Sequence, residues 1–151
     1  MTVYLTAFPG TVESVAAARR FMAAALRITP GVSVPETVIG DAELIISELA
    51  TNAVQHTRSG DPGQTYKVRI EVNARGVAAD VRTKPPRLLL NHPHIKEPDC
   101  CTESGRGLHL VACFATEWGP LPFEDGVFFT LPWQPAQAIA PHLAEPVTGG
   151  A

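Results

Sequence analysis

The chain is short of charge, of cysteine and of long apolar runs, and each shortage excludes something. Only 18% of its 151 residues are charged while 45% are hydrophobic, and the net charge is -3. That balance excludes a disordered polyelectrolyte. The small negative charge removes the electrostatic case for nucleic acid as a partner. No apolar run approaches the roughly 20 residues that span a bilayer, which predicts no membrane partner. The opening residues carry neither a basic stretch nor a long apolar core, so no secretory signal is expected and the setting read from the sequence is cytoplasmic. The three cysteines, Cys100, Cys101 and Cys113, cannot all pair, and adjacent Cys100 and Cys101 rarely bond each other. Reduced thiols are the expectation. No Gly-x-Ser-x-Gly is present, so a serine hydrolase has little support.

What is present is periodicity. Residues 3–8 alternate and stop at Pro9-Gly10, which predicts a strand and a turn. Residues 11–28 carry apolar side chains at helical spacing, with Thr11 placed as N-cap and Pro30-Gly31 as the stop. Residues 35–56 predict a second helix, with 59–63 as its exit loop. Residues 66–73 and 77–83 read as a hairpin turned at 74–76. Residues 84–104 read as a long proline-rich loop, 105–118 as a third helix opened by two glycines, and 127–131 as a closing strand. This order predicts an α+β fold: a two-layer sandwich of a mixed, mostly antiparallel sheet with helices on one face. Residues 1–132 form the expected domain. Residues 133–151 form a tail rich in Pro, Ala and Gly, with room for a short helix near 134–140.

The second helix poses a chemical question. Ile45, Ile46, Leu49, Ala50 and Ala53 make one apolar arc, and Glu48, Asn52 and His56 run along its border at steps of four. The plain alternative is a solvated helix edge, with His56 favoured by the helix dipole. The chemical reading gives Glu48 the proton of an attacking hydroxyl or water, and gives the Asn52 side-chain oxygen a hard cation such as Mg²⁺. A cation of that kind takes its other ligands from water and phosphate, so a phosphate-binding element is expected elsewhere. Gly105-Arg106-Gly107, at the mouth of the third helix, is the candidate. Glycines let backbone approach an anion, the helix start offers unpaired N–H groups, and Arg106 adds a charged donor.

Glu48-Leu49-x-x-Asn52-Ala53, followed by Gly105-Arg106-Gly107-Leu108, resembles the N and G2 boxes of the GHKL ATPase superfamily, which includes histidine kinases and gyrase-type ATPases. The nearest look is to its small single-domain anti-sigma factor serine/threonine kinases. The resemblance spans about residues 3–132 and implies the Bergerat (histidine kinase-like ATPase) fold. It implies that Glu48 is the general base and Asn52 the Mg²⁺ ligand. It places Gly105 and Gly107 at the ATP phosphates, Arg106, Leu108 and, on the closing strand, Thr130 among the cofactor-binding residues, and residues 88–104 as the ATP lid. It further implies a sigma factor or an anti-anti-sigma protein as partner, and a homodimer. One departure stands out. The G1 box normally has an Asp that accepts from the adenine amino group, and Thr83 stands there, followed by Lys84-Pro85-Pro86. Asp80, three residues earlier, would point to the other side of its strand. A second reading follows: a GHKL module impaired in nucleotide binding that acts only by holding a protein.

Other groupings are weaker. His92, His94, Cys100 and Cys101 are soft-ligand types within ten positions but lack Cys-x-x-Cys spacing. Cys113 is placed on the apolar face of the third helix as a core thiol, and Trp118 and Trp133 as packing residues.

Overall fold

A computed structural model of the chain describes residues 1–88 and 106–134. The elements are β1 (Thr2–Pro9), α1 (Ser14–Ile28), α2 (Glu36–His56), a single 3-10 turn (Arg58–Gly60), β2 (Thr65–Asn73), β3 (Gly76–Arg82), α3 (Arg106–Phe114), β4 (Glu117–Pro120) and β5 (Gly126–Pro132). The strands form one sheet in the order β1-β2-β3-β5-β4, and every pairing is antiparallel. The α+β two-layer expectation holds, with a purely antiparallel sheet among the described residues in place of a mixed one.

Alternation decides which side of the sheet meets the helices. Val68, Ile70 and Val72 of β2, Val77, Ala79 and Val81 of β3, and Phe129 and Leu131 of β5 are all buried. They face the apolar stripe of α2, where Ile39, Ala42, Ile45, Ile46, Leu49, Ala50 and Ala53 are buried on a 3.6-residue period. α1 packs against α2 through Ala18, Met22, Ala25 and Leu26. α3 packs against α2 through Val111, with Leu108 half-buried against the same core. Burial of this apolar surface is the main stabilising contribution.

The first helix starts later than its sequence suggests. Glu13 occupies the cap position without a side-chain cap bond, so Thr11 is not the N-cap. Ser14 is drawn into the fold instead: its hydroxyl donates to the Thr11 carbonyl at 2.8 Å and lies 2.8 Å from the Tyr66 hydroxyl. Tyr66 in turn stacks on Phe8. Gly31 takes a φ of 72° after α1, a turn that favours glycine.

Two further expectations fail at the other end of the chain. The third helix does not run to Trp118. It stops at Phe114, and Thr116 N–H donates to the Thr130 carbonyl at 3.0 Å, so the chain passes into β4 beside β5. Cys113 is exposed, not a core thiol. It lies about 200° around the helix from buried Val111, at 100° per residue. Trp133 is buried and Trp118 packs partly against the core, as expected of packing residues. The short helix suggested near 134–140 falls outside the described residues except for its first position.

Candidate active site

The lower half of α2 is fastened to the segment that leaves β3. Arg58 N–H donates to the Pro85 carbonyl at 2.9 Å, and Arg87 N–H donates to the His56 carbonyl at 3.0 Å. Between them Thr57 and Pro86 form an isolated antiparallel bridge. Lys84 N–H donates to Ser59 Oγ at 2.8 Å, and Arg87 pairs with Asp61 at 2.7 Å. Gly60 permits the close approach, because a Cβ there would stand 1.9 Å from the Val54 carbonyl oxygen. Sequence reasoning read residues 59–63 only as an exit loop and missed this clamp. Its partners are 25 or more residues apart in most cases, and nothing local marks them.

The clamp fixes Thr83 at the exit of α2. Its N–H donates to the Asp125 carbonyl at 2.9 Å, and it is half-buried. It continues the parity of Val77, Ala79 and Val81, which face the helices. Asp80 has the opposite parity. It lies on the far face of the sheet, accepts from Arg82 Nε at 2.7 Å and sits 3.8 Å from a guanidinium nitrogen of Arg69. The hydrogen bond to Asp80 raises the Arg82 pKa above its ordinary value. Asp80 is therefore committed to an ion pair on the side away from α2.

Glu48 and Asn52 are both half-buried, one turn apart on the border of the α2 stripe. Side chains at this spacing have Cβ atoms about 5–6 Å apart. Among the described residues, neither is engaged in a hydrogen bond or ion pair. The hydroxyls beside them are turned inward: Ser47 donates to the Glu43 carbonyl at 2.7 Å and Thr51 to the Ser47 carbonyl at 2.8 Å. Among the described residues, the carboxylate and the amide are the polar groups on that edge not taken up by the helix backbone. His56 is half-buried, and its carbonyl serves the clamp.

The remaining predicted site residues divide. Arg106 and Gly107 open α3, whose first turn has no acidic residue, so its N–H groups and dipole suit an anion. Gly105, most of the expected lid, and His92, His94, Cys100 and Cys101 lie outside the described residues. Leu108 packs against the core. Thr130 is not brought to the others. Phe129 and Leu131 face the helices, so Thr130 points to the far face, opposite Ala78 and Glu117.

The fit to Mg²⁺-ATP can be judged from the donor set. An amide oxygen and a carboxylate, half-exposed and unspent, suit a hydrated hard cation and a proton acceptor. The start of α3 suits phosphate. Thr83, the residue the sequence resemblance sets against adenine, offers a neutral hydroxyl, a weaker acceptor than a carboxylate.

No helix among the described residues is long and apolar enough to cross a membrane. A comparison with curated proteins gave no match. Residues 8–118 match the family described as Histidine kinase-like ATPase domain. That span holds α1, α2, the β2–β3 hairpin, α3 and the first two residues of β4, and with them Glu48, Asn52, Thr83 and Gly107. A five-stranded antiparallel sheet covered by three helices, bearing this edge on α2, agrees with the match: the chain belongs to the histidine kinase-like ATPase domain family, within the ATP-binding GHKL superfamily.

Proposed function

We propose that the domain is a serine/threonine protein kinase of the anti-sigma factor type, working in the cytoplasm. It takes Mg²⁺ and ATP as cofactors, phosphorylates a hydroxyl on an anti-anti-sigma protein and holds a sigma factor inactive. The observation that carries this reading is the half-buried Glu48–Asn52 edge of α2, without a hydrogen-bond or ion-pair partner among the described residues, on a helix that also packs against α3. Bound Mg²⁺-ATP supplies an activated γ-phosphoryl group. Asn52 would hold the Mg²⁺, and the α3 start with Gly105, Arg106 and Gly107 would hold the phosphates. Glu48 orients the partner's hydroxyl and receives its proton on a carboxylate oxygen. Thr83 offers the adenine amino group one neutral acceptor.

The test is transfer of labelled phosphate from ATP to candidate anti-anti-sigma proteins. Glu48→Gln and Asn52→Ala proteins should bind the partner and transfer nothing. An Asn52→Ala protein that phosphorylates its partner normally overturns the assignment.

One observation favours a second reading, a binding module without catalysis. The only carboxylate near Thr83 on its own strand, Asp80, is locked on the opposite face. On this reading phosphate transfer is absent, and capture of a sigma factor persists without nucleotide.

Self-association belongs to the proposal as well. β1 is an edge strand of eight residues without a charge, and Val3 and Leu5 on its outer face are 45% and 62% exposed. Such an edge is a template for pairing with a second copy. Sedimentation of wild type against Leu5→Lys reads it directly.

A further inference from the structure

α3 carries two soft-ligand side chains that the proposed kinase chemistry does not use. His109 and Cys113 are four residues apart and both exposed, and His109 Nε2 lies 3.8 Å from Cys113 Sγ. Spacing of four puts them on one side of the helix, one turn apart. That side is turned away from Val111, which anchors α3 in the core. Their separation has a meaning for metal chemistry. With Zn–S about 2.3 Å and Zn–N about 2.0–2.1 Å, a tetrahedral angle puts the two donors about 3.6 Å apart. The observed 3.8 Å is within a few tenths of an ångström of that bite. Rotation of either exposed side chain can close the difference without moving backbone.

The geometry points to a two-ligand site for zinc or a similar borderline divalent cation, formed by His109 Nε2 and the Cys113 thiolate. Binding displaces the thiol proton to solvent, and the imidazole donates its neutral nitrogen lone pair. No group of three or more ligating side chains exists among the described residues. Two coordination positions are therefore left for water or for a donor from outside the site. A site with open positions is labile and exchangeable, unlike a closed structural zinc. The bound cation ties one turn of α3 to the next. Gly107 stands two residues before His109, so the tie lies directly behind the start of the helix. The inference rests on this geometry alone and stands or falls independently of the kinase reading.

The test uses the full reduced chain with Cys100→Ser and Cys101→Ser, which leaves Cys113 as the sole thiol. Cobalt(II) is titrated in as the probe, followed by displacement with zinc. A thiolate-to-cobalt charge-transfer band that saturates at one metal per chain, and that zinc abolishes, is expected. Adding Cys113→Ser should remove the band, and adding His109→Ala should remove it at the same cobalt concentration. Both positions are exposed, so far-ultraviolet circular dichroism should show an unchanged fold. A sole-thiol protein that gives no band overturns the site, leaving the contact a weak S–H···N hydrogen bond. A band that survives His109→Ala unchanged overturns it equally.

Discussion

Replacing Asp80 by alanine tests whether Asp80, rather than Thr83, is the residue that would read adenine. Asp80 is 6% exposed and joins Arg82 at 2.7 Å and Arg69 at 3.8 Å. Its removal leaves those guanidiniums with Glu124 at 3.1 Å and Glu71 at 2.8 Å. Breaking a fully buried pair costs roughly 3–5 kcal/mol, whereas an exposed pair is worth roughly 0.2–1 kcal/mol. The arginine side chains here are 32% and 36% exposed, so water and the second carboxylates compensate in part. The expected loss is about 1–3 kcal/mol. For a domain of this size that is a fall in Tm of roughly 4–12 °C. ATP affinity should be that of the wild type, because Asp80 faces away from α2. Scanning calorimetry and nucleotide titration on the same Asp80→Ala preparation give both values. A protein of unchanged Tm and lost ATP affinity would refute the reasoning, since Asp80 would then be reading the nucleotide.

Three further outcomes follow from the same structure. Thr83→Asp should tighten ATP binding by about tenfold, the difference between a neutral and a charge-assisted hydrogen bond, and no gain would show that Thr83 does not face adenine. Gly60→Ala forces a Cβ onto the Val54 carbonyl and should cost roughly 1–3 kcal/mol in denaturant unfolding, with loosening of the α2–β3 clamp seen as faster amide exchange at Arg58 and Arg87. Burial raises the Tyr66 pKa above 10.0, only partly offset by the hydrogen bond with Ser14. Its neutral form thus contributes stability that is complete below pH 10 and is lost as pH rises through the folded-state value. Tyr66→Phe should lose about 1 kcal/mol at neutral pH and show a shallower fall of Tm above pH 10; an identical alkaline profile would contradict the assignment.

Much of this was legible in the sequence where a single period dominates. The α2 stripe follows from Ile45, Ile46, Leu49, Ala50 and Ala53 alone, and the β2–β3 hairpin from alternation around Ala74 and Arg75. Legibility ends where tertiary context chooses between equivalent patterns. Phe128 and Phe129 are adjacent aromatics, so the sequence does not say which one enters the core. The structure buries Phe129, and that choice sends Thr130 to the far face. Cys113 looked apolar enough for the core, but packing of α3 on α2 uses the side that holds Val111. β4 is four residues long, too short for alternation to show, and Glu117 and Trp118 continue a helical pattern on paper. Glu48 and Asn52 were legible as a row, and the chemical use proposed for them comes from their likeness to the GHKL boxes.

The central claim is that the α2 edge binds nucleotide through a metal. Titration calorimetry of ATP with and without Mg²⁺, on wild type and on Asn52→Ala, tests it most directly. The account predicts Mg²⁺-dependent binding in roughly the micromolar range that Asn52→Ala abolishes. No heat up to millimolar nucleotide, or binding that ignores both Mg²⁺ and Asn52, would contradict it.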